Sequence, residues 1–449
     1  MKLSGKVIGT AAALGATLFA ALPAWAQDAA APAAEAAAEV TVNKGDTAWM
    51  MVATVLVMMM IVPGLALFYG GLVRTKNMLS MLTQVLCVAA LAMIIWVFWG
   101  YSLAFSGEGA FIGDTAKLFL SGVTSETTAA TFTDGVAIPE FVFVAFQMTF
   151  AAITTTLILG GLAERFKFNG ALLFAVIWLT IVYFPMAHMV WATGGYLFEM
   201  GALDFAGGTV VHINAGIAAL VGALMLGQRT GYQKEIMAPH SLTMTLIGAG
   251  LLWVGWFGFN AGSALEANGS AALAMINTFV ATAAAVLAWV FAEKAAGHKG
   301  SLLGAASGAI AGLVAVTPAA GNSGPIGAII LGAVASVVCF FFVTVLKPKL
   351  KLDDSLDAFG IHGVGGIVGS IGTAFTMLPA LGGPGAEDYA LGSQIGIQVL
   401  AVVIAVAWSA IGSAIAFAIV KFTIGIRVTE EVEREGLDLG EHGERAYNY

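Results

Sequence analysis

Charge is scarce in this chain. Only 10% of its 449 residues are Asp, Glu, Lys or Arg, against about 25% in an ordinary soluble domain. So little charge excludes a globular surface facing water on all sides. The chain has two cysteines, Cys87 and Cys339, both inside apolar runs. That excludes a disulfide framework and a thiolate metal centre. There is no basic stripe, and the net charge is −8, so no nucleic-acid partner is expected. No nucleophile–base set and no phosphate-binding glycine loop can be found, which argues against an enzyme and against a bound cofactor.

What the chain has instead is apolar sequence. Hydrophobic residues make up 59% of it and the mean hydropathy is +0.90. The 56 glycines suit helices that pack closely in lipid, where small residues let backbones approach. The N-terminus reads as a processing signal, residues 1–26: Lys2 and Lys6, an apolar stretch, then Ala24-Trp25-Ala26 as a cleavage site. An Ala/Glu-rich exported linker follows to residue 47, then a membrane domain over 48–426 and a polar tail over 427–449.

The fold expected is an all-α membrane protein with eleven spans, near 48–71, 81–104, 138–161, 170–196, 207–227, 240–260, 271–292, 301–316, 323–346, 359–379 and 393–424. Most reach the roughly 20 residues needed to cross the hydrocarbon. With the mature N-terminus outside, the short loops bearing Arg74, Lys76, Arg165, Lys167, Arg229 and Lys347 all fall inside, while the outside holds only Lys44 and Lys117. That is the positive-inside pattern, and it leaves the C-terminus in the cytoplasm.

Two histidines lie in matching apolar segments. Asp204-Phe-Ala-Gly-Gly-Thr-Val-Val-His212-Ile-Asn-Ala-Gly216 and Asp354-Ser-Leu-Asp-Ala-Phe-Gly-Ile-His362-Gly-Val-Gly-Gly366 both fit D-x7-H-x3-G. They open spans five and ten. Spans one and six share Gly64-x3-Phe68 and Gly255-x3-Phe259. The offset is five spans in both cases, and five is odd, so the two five-helix halves are expected to be inverted repeats, with a final helix added. Such symmetry places a substrate route at the repeat interface. An ionisable group in a membrane helix is costly and points to function. Neutral imidazoles each offer one donor and one acceptor, which suits solvation of a small polar molecule or relay of a proton. Zinc needs three or four ligands, and no further ligand cluster accompanies the pair, so metal binding is not expected.

These segments, together with Pro185-Met-Ala-His188-Met-Val-Trp191, Trp256-Phe-Gly-Phe259-Asn-Ala-Gly-Ser263 and Phe359-Gly-Ile-His362, resemble the ammonium transporter (Amt/Rh) family, in its bacterial Amt form, over nearly the whole mature chain. The resemblance implies a homotrimer with one pore per subunit in a bacterial inner membrane. It implies that Phe146, Phe150, Trp191 and Ser263 recruit ammonium or methylammonium at the outer mouth. Phe150 and Phe259 would form a stacked gate, and His212 and His362 would line the bore. Asp204 could attract or deprotonate the ion, or cap the helix behind it. The resemblance implies the structural role, and Asp354 invites the same reading on the inner side. The tail would take part in regulation by a PII-type (GlnK-like) partner. Two other readings stay open: an ammonium sensor on the same scaffold, and a neutral gas channel of the Rh type, against which Trp191 argues.

Overall fold

A computed structural model describes residues 40–385 and 389–447. The signal reading and most of the exported linker fall outside them. Ten helices among the described residues are long and apolar enough to cross a membrane. They are α1 (Lys44–Leu72), α2 (Thr75–Phe105), α3 (Glu140–Leu162), α4 (Phe168–Glu199), α5 (Gly208–Leu226), α6 (Leu242–Gly262), α7 (Gly269–Ala295), α8 (Leu302–Ala319), α9 (Pro325–Lys349) and, last in the chain, α11 (Leu391–Thr423). The predicted span at 359–379 is also helical, as Phe359–Gly363 continuing into Val364–Thr376, and is α10. It is shorter than most of its neighbours, and its glycines, hydroxyl residues and His362 dilute its apolar character.

Local chemistry sets the helix starts. The Asn43 side chain accepts from the Gly45 and Asp46 amides at the start of α1. Ser241, Asn268 and Ser301 do the same for α6, α7 and α8. Each cap satisfies amides that have no partner within the helix. Inside the helices, Thr154, Thr155 and Thr156 on α3 and Thr278 and Thr282 on α7 donate to carbonyls one turn back. A hydroxyl in hydrocarbon is thus satisfied without a neighbouring helix.

Glycine decides two helix contacts that matter for the site. A Cβ on Gly216 of α5 would lie 2.3 Å from the Gly363 amide of α10, and one on Gly248 of α6 would lie 2.2 Å from the Phe68 amide of α1. Only a hydrogen fits at either place, so α5 meets α10 and α6 meets α1 backbone to backbone. The loop between α2 and α3 carries a hairpin, β1 (Thr128–Ala130) against β2 (Val136–Pro139), antiparallel with Ala129 opposite Ile138.

The loop end that gathers most of the basic residues is tied together by ion pairs. The Arg229 guanidinium bonds both Asp353 oxygens and Glu164, and Arg74 bonds Glu164. Burial alone would raise the Glu164 and Asp353 carboxyls. For Glu164, Arg229 and Arg74 outweigh it; for Asp353, Arg165 and Arg229 do. Both are held below the usual carboxylate range. Arg165 is fully buried and donates to the carbonyls of Gly161, Ala163, Gly227 and Asp353. Basic residues read from the sequence as loop charges are therefore also structural fasteners. The tail folds back as two short helices, α12 (Glu430–Glu435) and α13 (Leu437–His442). Lys76 donates to the Glu433 carbonyl, the Ser80 amide to Asp438, the Phe168 amide to Glu441 and the Thr230 amide to Glu433. Glu433 and Asp438 are buried, so the tail is docked on the membrane domain and not a free solvated segment.

Candidate functional site

A cavity of about 720 Å³ opens at the hairpin end of the helices, lined among others by Phe150, Trp191, Asp204 and Ser263. Trp191 ends the long run of α4, ahead of the short turn Tyr196–Glu199. Its indole N–H donates to the Asp204 carbonyl at 2.9 Å, which fixes the ring in the cavity wall. Ser263 caps the end of α6 and donates to the Phe259 carbonyl at 2.8 Å. Its proton is thus committed to the helix, and its oxygen remains an acceptor. A small cation could lie over the aromatic face, an attraction worth about 0.5–2 kcal/mol, with one N–H on that oxygen.

Below this, Phe150 and Phe259 stack with centroids 4.1 Å apart and an interplanar angle of 12°. Phe150 meets Trp191 edge-on at 5.8 Å. Phe146 is fully buried behind Phe150, with centroids 4.9 Å apart. It packs against the Phe150 ring and does not line the cavity.

His212 and His362 come next. Their Nδ1 atoms are 3.2 Å apart and their rings lie 19° from parallel. One ring must donate and the other accept. His212 sits on a widened turn, Gly208–Ile213, at the start of α5, and His362 on another, Phe359–Gly363, at the start of α10. The Nε2 of His212 is buried and has no partner. The void beside the pair is about 10 Å³, walled by Met60, Leu65, Leu157, Leu252 and Ile310. That is close to the least that holds one water. The void is therefore apolar on all sides, with the rings of His212, His362 and Trp256 among its walls.

Asp204 lies beside the cavity at the head of α5. Its carboxylate accepts from the amides of Gly207, Gly208, Thr209 and Val210 and from the Thr209 hydroxyl. Burial raises its pKa above the usual carboxylate range, and these five donors oppose that rise. The geometry is that of a helix cap, in line with the structural role. Asp354, in the equivalent place before α10, accepts from the Gly360 amide at 3.0 Å, while its other oxygen is buried and unpartnered.

The motifs did not foretell two features. Trp256 stacks on His212 at 5.3 Å and 19°, and its N–H donates to Thr317 on α8 at 2.8 Å. Trp256 stood in a quoted segment, but nothing in the pattern joined it to a residue so far along the chain. The second is His188. It lies buried between the carbonyls of Ala104 and Gly109, fastening the loop after α2 to α4. Among the described residues there is no cluster of three or more His, Cys, Asp or Glu that could hold a metal ion.

Comparison with known proteins gives a consistent result. The model of the Ammonium Transporter Family matches residues 48–447. An ammonium transporter of Aquifex aeolicus is 48% identical over 417 residues, covering 92% of this chain and 95% of its own. Among solved structures, one described as Sensor Amt Protein superposes with a TM-score of 0.80 at 28% identity, covering 89% of this chain and 98% of its own. Mep2 of Saccharomyces cerevisiae superposes with a TM-score of 0.78 at 33% identity, covering 87% and 88%.

Proposed function

Because the chain belongs to the ammonium transporter family, we propose that it captures ammonium at the Trp191–Ser263 mouth, strips one proton above the phenylalanine gate and conducts NH3 past His212 and His362. One observation carries this reading: a stacked aromatic pair stands against a narrow apolar void bordered by two histidines in mutual contact. Taking a bare charge to the bilayer centre costs from about 3 to more than 10 kcal/mol. A hydrocarbon bore with two imidazoles discriminates against the ion and solvates neutral NH3. The proton either stays outside or crosses separately along the His212–His362 contact and rejoins inside. The first case gives neutral flux and the second gives current.

The same reading counts α10 as a membrane span, which brings the total to eleven, makes the halves inverted repeats, and sets the mature N-terminus outside and the tail in the cytoplasm of a bacterial inner membrane. It makes the working unit a homotrimer. The docked tail, held through Glu433 and Asp438, offers a PII-type regulator a polar surface next to the loop ends. The sensor reading has its own support in the likeness to the Sensor Amt Protein.

The test is uptake of methylammonium into proteoliposomes with current recorded, for the native chain and His212→Ala. We expect saturable uptake by the native chain and a fall of at least tenfold in the variant. Current that disappears with His212 would assign the proton to the histidine route; native uptake with no current would assign it to the outside. A folded native chain that moves no substrate would overturn transport and put the sensor first.

A further inference from the structure

At the rim of the outer cavity the chain holds an ammonium group of its own. Lys117, on the loop after α2, reaches the carboxylate of Glu140, the first residue of α3, as an ion pair and hydrogen bond. Its Nζ also stands 5.6 Å from the centre of the Tyr101 ring. The Tyr101 hydroxyl donates to the same carboxylate at 2.7 Å. Glu140 is built into the wall: its side chain is 4% exposed, against 35% for Lys117. The Lys117 backbone is pinned by its amide donating to the Ser102 hydroxyl at 3.0 Å, so the flexible stem swings from a fixed point. All three residues line the cavity that contains Trp191 and Ser263.

A second observation points inward from this cluster. Gln147 lines the same cavity, is nine-tenths buried, and its side-chain oxygen has no partner. It lies seven residues after Glu140 and three before Phe150 on α3, so the three share one helix face. A carboxylate with an aromatic ring, then a free carbonyl oxygen, then the gate ring form a descending series of cation acceptors.

We infer that Glu140 and Tyr101 form an outer binding station for ammonium or a small primary ammonium ion, and that the Lys117 side chain is its tethered competitor. The inference rests on the transport reading for its role but not for its chemistry. The Lys117 Nζ is itself a primary alkylammonium, held by a carboxylate and an aromatic face, so the ligand class can be read from the chain's own occupant. A short flexible tether gives an effective concentration on the order of millimolar. Free ammonium far below that level finds the station filled; as it rises, it displaces Lys117 and is handed down past Gln147. The pair thus sets the concentration range over which the mouth fills. Lys117→Met keeps the apolar stem and removes the competitor.

Two measurements test this. In crystals soaked with thallium(I), a monovalent cation close to ammonium in size, an anomalous peak beside Glu140 is expected in Lys117→Met and not in the native chain, nor in Lys117→Met with Glu140→Gln. In proteoliposomes, the half-saturating methylammonium concentration should fall at least threefold in Lys117→Met. It should return toward the native value in the double variant, and stay within twofold of native in Lys117→Arg, which keeps a cation in place. A folded Lys117→Met chain with no thallium beside Glu140 and an unchanged half-saturating concentration would overturn the station. If the native chain moves no methylammonium at all, the transport reading falls, and the thallium peak alone decides the station.

Discussion

Asp204 and Asp354 stand at the same place in two matching segments, each leading to a bore histidine, and their surroundings differ. Asp204 has five donors on its two oxygens. Asp354 has the Gly360 amide on one oxygen and no partner on the other, with the Lys347 ammonium bound to its backbone carbonyl and to Asp357 nearby. The histidines differ likewise: His212 stacks on Trp256, and that indole is pinned by Thr317. A repeated motif therefore repeats positions and not environments. The Asp204 copy is saturated, and Trp191 is held on its backbone carbonyl, whereas the Asp354 copy keeps an unmatched oxygen.

The largest effect expected from breaking this asymmetry is at Asp204. Asp204→Ala would leave four amides and a hydroxyl unpaired at the head of α5. Each buried unmade bond costs about 1–3 kcal/mol, so a loss above about 4 kcal/mol is expected even after water fills part of the gap. Thermal unfolding in detergent should fall steeply, and uptake with it, because Trp191 hangs on the Asp204 carbonyl. Asp354→Ala removes one bond and should cost about 1–2 kcal/mol. Equal losses would show that the donor count does not control the difference.

The two histidines were legible because an imidazole in an apolar run is anomalous, and because the same spacing occurs twice. The spans were legible for the reason that makes membrane proteins readable at all: hydrocarbon leaves every backbone group to be satisfied within a helix. Phe150 and Phe259 were not. The chain has 28 phenylalanines, and no periodicity marks the two whose rings happen to face one another; resemblance picked them out. The Trp256–Thr317 brace joins α6 to α8, and the Arg229–Asp353–Glu164 group joins three separate loops. Contacts of that kind depend on how helices are placed. A one-dimensional count of charges assigns Arg165 and Arg229 to the inner side without seeing that they are also buried fasteners.

Acidity gives a second handle on the comparison. Burial pushes the Asp354 carboxyl up to about 6, Asp357 adds to the rise, and Lys347 opposes it. An ordinary aspartate ionises near 3.9. The folded chain thus holds this proton more tightly than the unfolded chain. The resulting stability is fully present below about pH 4, is lost as pH rises through about 6, and does not change above that. Asp354→Asn, which still accepts from the Gly360 amide, removes this component. The stability of the native chain relative to the variant should fall by up to about 3 kcal/mol between pH 4 and pH 7. Denaturation midpoints at pH 4.5 and 7.5 measure it, and parallel curves for the two chains would remove Asp354 as the cause.

The smallest expected effect sharpens the contrast between the histidines. Thr317 donates its proton to the Leu313 carbonyl at 2.7 Å and so accepts from the Trp256 N–H with its oxygen. Thr317→Val keeps the shape and deletes the acceptor, leaving a buried indole N–H unpaired at a cost of about 1–2 kcal/mol. The change touches neither histidine, yet it loosens the plate on which His212 is stacked and leaves His362 as it was. Uptake should drop a few-fold while the Phe150–Phe259 gate and the outer mouth keep their affinity, so the maximal rate falls and the half-saturating methylammonium concentration holds. A change in the half-saturating concentration alone would mean that Trp256 acts on the mouth and not on the bore. If the brace acts only by holding His212 toward His362 across 3.2 Å, Thr317→Val should add nothing further to the loss of rate in a chain that already carries His212→Ala.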